Sequence, residues 1–559
     1  MKKKIFGLIF CVAIAACIGV TGASGAFASD TTIAEWGVEH FNQLDVGLFW
    51  YTEIDQVVPV SDYKIDPSKP TIIYAHGWKP SDSHVREGLS LKSESVSALS
   101  SKGYDEYKYD PEFYNYYIKN GYNVGVFYWN QLSGDEGMSC DSKIWWSNGG
   151  KNMTYVTYNK VDAKHSDGVM SEPNDPTNPK ESVALMYAHA LIEALGKDYN
   201  KDLHLVGHSM GGQLTLAVSE ALCYMKDKGQ ISKDFLPDRL TLCDPYLTYI
   251  TEVTGTIDHS GKYVKDKNTA YLSGLAAETC ANHAIPIESY GALESFVFRN
   301  YMSLASINGE DSVEYKLARE TLMRLSDNIA WVHMKNLKTF AASSDPIKFA
   351  PTHVMSVDYY FSTNYMEPVK SKEGLQVPSA KMSNEDLKGM IGRCFVHYME
   401  NRSNPLYYNE GWFRLENPHT DTISQFEGND QIGYIRGQLA ITNRNKKPVT
   451  VQLADEDDEV IAEATVDEDG YYHFANVKTG TYSIKIYADT IHVDDIEDVE
   501  VDGTSIKTVI PETREVIVGG DKLLLYCVIG LAGVIILVCV IALIKGVFFT
   551  KMKKGGKRR

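Results

Sequence analysis

The chain has 559 residues, with 73 acidic and 55 basic side chains and a formal net charge of −18. Its hydrophobic fraction of 44% and charged fraction of 23% are typical of folded proteins, and its length favours two or more domains. The negative charge would repel phosphate backbones, so the composition argues against nucleic acid as a partner.

Residues 1–28 have the three-part pattern of a secretory signal peptide. Three lysines at positions 2–4 precede an apolar run, and Ala26-Phe27-Ala28 supplies small residues for a cleavage site. A second processing option is a lipoprotein-like box that ends at Cys17, which would then carry the lipid. Either option predicts export across a membrane.

Residues 523–544 carry no charged side chain and predict a transmembrane helix. At about 1.5 Å per residue, this segment is long enough to cross about 30 Å of hydrocarbon. The tail that follows, residues 545–559, is rich in lysine and arginine, which is typical of the cytoplasmic side. The sequence therefore predicts a single-pass membrane protein with residues 29–522 outside the cell.

The outward part contains five cysteines, an odd number that is too small for a disulfide-rich scaffold. They are Cys140, Cys223, Cys243, Cys280 and Cys394. We predict no particular pairing. No CxxC or HExxH spacing is present, so the sequence predicts neither a metal ion nor another cofactor.

Between Pro70 and Cys243, short apolar runs alternate with longer helical patterns. Strands are predicted at 71–75, 123–129, 203–206 and 239–243, and helices at 181–195 and 213–224. This alternation favours an α/β domain with a parallel sheet that helices cover on both faces. Two long stretches, 132–180 and 251–328, interrupt the pattern, and we interpret them as insertions, the second mainly helical and lid-like.

Residues 429–516 show a different pattern, in which apolar and polar residues alternate. Short strands are predicted near 449–453, 460–462, 471–474 and 482–486, with turns at Asp469-Gly470 and Thr479-Gly480. The pattern predicts a small all-β sandwich. It resembles the Cna-B-like and carboxypeptidase-regulatory-like modules that serve as stalks on bacterial surface proteins, and so implies a bacterial cell surface.

The sequence Gly207-His208-Ser209-Met210-Gly211 lies between a predicted strand and a predicted helix. A serine at such a sharp turn adopts a strained backbone conformation, and the flanking glycines allow the strand and helix to pack closely. The helix N-terminus supplies positive potential beneath the hydroxyl. This context indicates that Ser209 is a nucleophile.

A second motif, Tyr74-Ala75-His76-Gly77-Trp78, ends the first strong strand. Acyl transfer requires two backbone N–H groups directed at the developing oxyanion. One comes from the residue after the nucleophile, here Met210, and the other from a loop after an earlier strand. We predict that Trp78 supplies the second N–H group.

Together these blocks resemble the α/β-hydrolase fold, in particular its pancreatic-type lipase/esterase branch. The resemblance covers about half of the outward part, in separate blocks that lie within residues 29–428. It implies a carboxylic ester or lipid as the substrate, no cofactor, and a catalytic triad. In this fold the triad follows the chain order Ser, acid, His, which excludes His76 and His84 as the base.

Asp244 is the predicted acid, because it follows the predicted strand 239–243 where the lipase branch carries its carboxylate. Asp345 is the competing candidate, since most members of the wider fold place the acid on the following strand.

His353 is the predicted base. It precedes Ser356 and the pair Tyr359-Tyr360, a spacing that resembles a lipase segment. His283, in a Cys-Ala-Asn-His context, is the alternative, and His397 is a third candidate. The gap between Asp244 and His353 is longer than in the family, which leaves the lid and the acyl pocket undefined.

These observations predict a cell-surface serine hydrolase that cleaves carboxylic esters through an acyl-enzyme. Two alternatives stay open: a peptidase or acyltransferase on the same fold, and a catalytically silent adhesin or binding protein. The sequence does not define the acyl-chain preference or the oligomeric state.

Overall fold

A computed structural model of the chain forms two compact units, Met1–Asn429 and Asp430–Arg559. The structure describes residues 38–52, 57–79, 113–134, 140–147, 150–158, 168–247, 252–253, 256–257, 263–264, 267–291, 321, 324–325, 327–335, 356–357, 359–361, 363–364, 377–401, 404–417, 422–425, 432–443, 448–466, 470–501, 508–509 and 514–518. The predicted signal peptide, membrane helix and basic tail lie outside these ranges. Within them, no helix combines the length and the apolar composition that a membrane span requires.

The first unit contains strands and helices in alternation over most of its length. Its strands are β1 Gly47–Tyr51, β2 Val57–Pro59, β3 Thr71–Ala75, β4 Asn123–Tyr128, β5 Val156–Thr157, β6 Val169–Met170, β7 Leu203–His208, β8 Arg239–Cys243, β9 Glu252–Val253, β10 Thr256–Ile257, β11 Tyr263–Val264, β12 Lys267–Asn268, β13 Ile287–Gly291, β14 Ala330–Lys335, β15 Arg393–Asn401, β16 Asn404–Asn417 and β17 Thr422–Gln425. Its α-helices are α1 Phe113–Lys119, α2 Asp141–Trp145, α3 Val183–Leu195, α4 Met210–Asp227, α5 Thr269–Asn282 and α6 Asn384–Lys388.

One large mixed sheet organises this unit, with the strand order β17-β16-β15-β14-β13-β8-β7-β3-β4-β1-β2. The consecutive neighbours from β4 to β15 pair in parallel, while β1 and β16 pair with their neighbours antiparallel. From β3 the chain proceeds to β4 on one side, whereas β7, β8 and β13 follow on the other. The order therefore reverses between β3 and β7, and a crevice for ligands forms at the carboxyl ends of strands flanking such a point.

The central strands are buried on both faces, which explains their continuous apolar runs. On β3, Ile73 and Ala75 belong to one core cluster and Ile72 and Tyr74 to the other. Helices α3, α4 and α5 contribute to the first cluster, and α1 contributes to the second. The observed fold is thus a mixed α/β domain with a doubly covered sheet, in agreement with the predicted class.

Most of the predicted elements in this unit are confirmed. Strands β3 and β8 have the predicted bounds, and β4, β7, α3 and α4 differ from the prediction only at their ends. Local caps explain two helix starts: the Ser182 hydroxyl accepts a hydrogen bond from the Leu185 amide, and the Asn268 side chain accepts one from the Tyr271 amide.

The interpretation of 251–328 as a mainly helical insertion is wrong in part. This stretch contains α5, but it also contains β13, which lies between β8 and β14 in the centre of the sheet. Strand β13 is short and carries Glu288, and a buried charge breaks the apolar pattern that identifies a central strand. Glu288 is tolerated there because Arg239 of β8 pairs with it at 2.6 Å.

The second unit is a β-sandwich, as predicted for this part of the chain. Its strands are β18 Ile432–Asn443, β19 Val449–Ala454, β20 Val460–Thr465, β21 Tyr471–Lys478, β22 Gly480–Ala488, β23 Ile491–Val501, β24 Thr508–Val509 and β25 Arg514–Val518. One sheet has the order β20-β19-β22-β23, and the other contains β18, β21, β24 and β25. Along β22 buried and half-buried residues alternate, so one face contributes to the core of the sandwich.

Candidate active site

Ser209 lies in the tight turn that joins β7 to α4. Its backbone has φ 56° and ψ −122°, a sparsely populated conformation that non-glycine residues adopt only when the surroundings enforce it. Two hydrogen bonds enforce it here: the Ser209 amide donates to the Cys243 carbonyl at 3.0 Å, and the Tyr246 amide donates to the Ser209 carbonyl at 2.9 Å. The side chain remains at the edge of the solvent, since Ser209 is 8% exposed.

Helix α4 packs closely against strand β3 at this turn. A β-carbon at Gly211 would overlap the backbone carbonyl of Ala75, so no residue with a side chain fits there. Ala75 pairs with Gly207 in the parallel register of β3 and β7. The close packing therefore brings the end of β3 to the same point as the end of β7, where Ser209 begins the helix.

Gly77 contacts the candidate nucleophile directly. A β-carbon built on Gly77 would lie 2.7 Å from Ser209 Cβ and 3.2 Å from Ser209 Oγ. The loop after β3 can therefore approach the hydroxyl only because residue 77 has no side chain. Trp78 follows in the same loop and packs, partly buried, against the core.

His76 fixes the orientation of the loop after β3 from a buried position in the core. The ring is fully buried, and its Nδ1 lies 2.8 Å from the Gly77 carbonyl oxygen. The Trp129 amide donates to His76 Nε2 at 3.3 Å, so Nε2 is the acceptor and Nδ1 carries the proton that is donated to Gly77. In a trans peptide the C=O and the following N–H point in opposite directions. Holding the Gly77 carbonyl therefore also sets the direction of the Trp78 N–H.

Met210 is the first residue of α4, where backbone N–H groups lack partners within the helix. Its side chain is fully buried and its sulfur lies 3.3 Å from Cys140 Sγ. The Gly212 amide donates to the Ser209 carbonyl at 3.0 Å. The first turn of an 18-residue helix thus faces the serine with its positive end.

Asp244 follows β8 directly, beside Ser209 in the adjacent strand. The register pairs His208 with Cys243, so the next residue of each strand is Ser209 and Asp244. Asp244 is 5% exposed and has φ 43°, a second left-handed residue at this edge of the sheet. Its backbone N–H donates to the Tyr290 carbonyl at 2.6 Å, and this hydrogen bond attaches the turn after β8 to the neighbouring strand β13.

A buried ion pair anchors β8 and β13 next to this turn. Arg239 Nε donates to Glu288 at 2.8 Å, and its other nitrogens donate to the carbonyls of Met382 and Ser379. Burial opposes the charged guanidinium, but Glu288 raises the pKa of Arg239 above its usual range. The guanidinium also ties the segment before α6 to the sheet.

His353, the predicted base, and Asp345, the alternative acid, lie outside the described residues. Residues 356–357 and 359–361 are described as helical, and Tyr359 and Tyr360 belong to the core cluster that contains Cys243 and Tyr290. The rings of Tyr359 and Tyr360 lie 6.0 and 5.0 Å from the Tyr290 ring, centroid to centroid. The Tyr290 carbonyl is the group that accepts the Asp244 amide hydrogen bond.

The structure does not bring His283 to Ser209. His283 caps the C-terminal end of α5, where its Nε2 lies 3.1 Å from both carboxylate oxygens of Asp227. Asp227 is the last residue of α4, and Ser209 precedes the first. A helix of 18 residues is about 27 Å long, so His283 lies at the opposite end of α4 from the serine. His397 lies on β15, and its side chain is not among those described.

Part of the predicted 132–180 insertion packs on the first turns of α4. The indole N–H of Trp145 in α2 donates to the Gln213 side-chain oxygen at 3.0 Å. The side-chain NH2 group of Gln213 in turn donates to the Tyr246 backbone carbonyl at 3.0 Å. Gln213 thus connects the insertion to the chain after Asp244. The sequence analysis missed this residue, although a glutamine near the start of a buried helix signals a need for hydrogen-bond partners.

Sequence analysis also assigned no role to His76. The signal was available: a histidine directly after a fully apolar strand is expected to be buried, and a buried imidazole needs partners for both nitrogens. Among the described residues, no group of three or more His, Cys, Asp or Glu side chains is arranged to hold a metal ion.

Comparison with known proteins identifies only the second unit at the level of a family model. Residues 433–517 match the model for the second beta sandwich domain of BOS complex subunit NOMO1-like proteins. No curated protein matches the chain.

Solved structures give low similarity. BcpA, the major pilin subunit of Bacillus cereus, is 21% identical over 16% of this chain and 31% of its own length, with a TM-score of 0.13. The thioesterase domain from the curacin biosynthetic pathway is 11% identical over 53% of this chain and 83% of its own, with a TM-score of 0.17. Esterase Est22 is 13% identical over 65% of this chain and 76% of its own, with a TM-score of 0.19. This chain spans less than a third of the pilin subunit. TM-scores this low do not establish a fold, so the fold assignment rests on the strand order of the sheet.

Proposed function

We propose that this protein is a serine hydrolase that cleaves carboxylic esters through a covalent acyl-enzyme. The observation that carries the proposal is the environment of Ser209: a left-handed turn between strand and helix, with the Gly77 loop held against its hydroxyl. Backbone strain of this kind concentrates at functional sites because the surrounding structure has to maintain it. The turn also lies where the strand order reverses, which is the usual ligand crevice of an open α/β sheet.

Asp244 is the proposed acid of the triad. Its position one residue beyond the strand that neighbours Ser209 supports this role, as does its near-complete burial. A buried carboxylate can orient an imidazole and stabilise the imidazolium that forms during acyl transfer. Asp345 remains the alternative.

His353 is the proposed base. Support comes from the helical residues after it, since Tyr359 packs on Tyr290 and the Tyr290 carbonyl binds the Asp244 amide. His353 is six positions before Tyr359 in the chain. The remote position of His283 removes the main competitor.

The reaction then follows from these roles. Ser209 Oγ attacks the acyl carbon while His353 accepts the hydroxyl proton, and Asp244 orients the ring. The N–H groups of Met210 and Trp78 stabilise the oxyanion, and His353 returns the proton to the leaving alcohol as the ester C–O bond breaks. Water then attacks the acyl-enzyme, with His353 again accepting and returning the proton, and releases the carboxylic acid.

We also propose a location for this activity. The N-terminal signal pattern and the apolar segment 523–544 support a protein that is held at a cell surface. In that arrangement the β-sandwich is a stalk between the hydrolase and the membrane.

The test is covalent labelling of the full chain with a fluorophosphonate probe. We expect the folded wild type to be labelled and Ser209→Ala to lose all labelling. Ser219→Ala is the matched control: Ser219 is a buried serine of the same helix whose hydroxyl donates to the Thr215 carbonyl, and this variant should label like wild type. Folded wild-type protein that does not react would contradict the proposal and favour a silent binding protein.

Product analysis distinguishes an ester hydrolase from a peptidase or an acyltransferase that uses the same acyl-enzyme. Aryl esters of increasing acyl length should release the free acid. Preferred cleavage of a peptide, or transfer of the acyl group to an added amine or alcohol instead of water, would replace the ester-hydrolase assignment with a peptidase or an acyltransferase.

A further inference from the structure

Two cysteines from different helices meet at the end of α4 that is remote from Ser209. Cys223 belongs to the last turns of α4 and Cys280 to the last turn of α5, and both side chains are fully buried in the same core cluster. The Cys280 thiol and the His283 ring both affect the pKa of the Cys223 thiol, as expected of groups that lie near one another. Both cysteines are reduced in the structure.

The remaining described cysteines are placed elsewhere. Cys140 contacts Met210 at the opposite end of α4, and Cys243 belongs to the core cluster on the other face of the sheet. Cys394 lies on β15. Within the described part of the chain, Cys223 and Cys280 are therefore the two thiols that the fold brings into contact.

The two helices are also joined by charge at this point. His283 Nδ1 lies 2.9 Å from the Thr279 carbonyl, and its Nε2 lies 3.1 Å from the Asp227 carboxylate. Both neighbours are hydrogen-bond acceptors, so the ring donates from both nitrogens and is an imidazolium. Asp227 is four positions after Cys223 and His283 is three positions after Cys280, so each pair shares one side of its helix. The contact between Asp227 and His283 therefore places the two cysteines on the facing sides of α4 and α5.

We propose that Cys223 and Cys280 form a disulfide bond when the protein matures in an oxidising compartment. The signal pattern at the N-terminus predicts such a compartment, and structural disulfides accumulate there. The oxidant is a disulfide of a thiol–disulfide exchange partner. Both S–H bonds break and one S–S bond forms between the cysteines, while the partner accepts two electrons and two protons and leaves as two thiols.

Burial determines when this bond can form and break. The lack of solvent around Cys223, together with its neighbour Cys280, raises the pKa of the thiol well above its usual range, although His283 opposes the shift. The attacking species in exchange is the thiolate, so a reagent reaches this pair only when the helix ends open or before they close. The bond should therefore form during folding and resist reduction in the folded protein.

The experiment is peptide mapping of the full chain after export into an oxidising compartment. The protein is denatured with N-ethylmaleimide and no reductant, digested, and analysed by mass spectrometry. We expect a linked pair of peptides that contain Cys223 and Cys280, lighter by two hydrogens than the two separate peptides, while the Cys140 and Cys243 peptides carry the label. The linked pair should separate when dithiothreitol is added in denaturant but not when it is added to folded protein.

Recovery of labelled Cys223 and Cys280 from protein that has been refolded with oxidised glutathione would overturn the proposal. This result needs no variant and does not depend on enzymatic activity, so it is independent of the hydrolase assignment. As a second measurement, the double variant Cys223→Ser/Cys280→Ser should have a lower thermal midpoint than the oxidised wild type. Cys243→Ser is the control: it should keep the linked peptide pair, and reductant in denaturant should still separate that pair.

Discussion

A β-carbon on Gly77 would lie only 2.7 Å from Ser209 Cβ, although the two residues belong to different strand ends. The parallel register of β3 and β7 produces this proximity, because Ala75 pairs with Gly207 and each chain then turns toward the other. The contact places the loop after β3 on the side of the serine hydroxyl. It is the geometric basis of the proposed oxyanion site.

Gly77→Ala should abolish most of the ester hydrolysis while the protein stays folded. The new methyl group has to displace either the loop or Ser209, and loss of one oxyanion donor typically costs about 10²–10³ in kcat. Steady-state kinetics on an aryl ester measures the change. Gly274→Ala is the matched control, since Gly274 lies within α5 and a β-carbon there would meet its neighbours at ordinary van der Waals distances of 3.4 Å or more. Equal activity of the two variants would contradict the assigned position of the loop.

His76→Ala should lower kcat about 10²-fold with a much smaller change in KM, because His76 orients the Trp78 N–H without contacting substrate. His76→Gln, which can still donate to the Gly77 carbonyl, should recover part of the activity. Circular dichroism would check that both variants fold. If both lose activity in proportion to lost folded protein, His76 has only a structural role.

His353→Ala should remove at least about 10³-fold of the activity, as expected for loss of the general base. His283→Ala should retain most of it, since His283 lies at the far end of α4. Fluorophosphonate labelling and ester hydrolysis of the two variants provide the comparison. Activity that survives in the first variant and disappears in the second would reverse our choice of base.

In protein whose Cys223 is kept reduced, the stability of the first unit should fall as the pH rises from about 6.5 to about 9. Burial disfavours the charged ring, but Cys223, Thr279 and Asp227 together raise the pKa of His283 to about 9 in the folded protein. The free histidine has a pKa near 6.5, so the stabilising contribution is complete below about pH 6.5 and lost through about pH 9. The loss amounts to at most about 3 kcal/mol.

Urea unfolding at a series of pH values measures this dependence. His283→Gln should give a flatter curve over the same range, since it does not titrate. A wild-type curve that is as flat as that of the variant would show that His283 is not charged in the folded state.

The sequence predicted best the strands whose residues are all buried and mostly apolar. Strands 71–75 and 239–243 have the predicted bounds because every residue in them is buried between two helical layers. Strand β13 could not be predicted from its own residues. Glu288 is stable there through Arg239 and Thr241, 49 and 47 positions away in the chain, and a local pattern holds no information about such partners.

The candidate site divides in the same way. The turn at Ser209 could be predicted locally, since its glycines and its neighbouring strand and helix are contiguous in sequence. The approach of Gly77 and the alignment of Asp244 depend on strand register, which follows from the whole sheet. The identity of the base stays a prediction, because His353 is far from Ser209 in the sequence. No local pattern determines which histidine meets the serine in the folded protein.

The hydrogen bonds from Ser209 to Cys243 and from Tyr246 to Ser209 make the nucleophile and the chain around Asp244 a single backbone unit. A shift of the chain around Asp244 would therefore also move Ser209. Redesign of this edge of the sheet has to treat the two residues together, because neither turn can change its path alone.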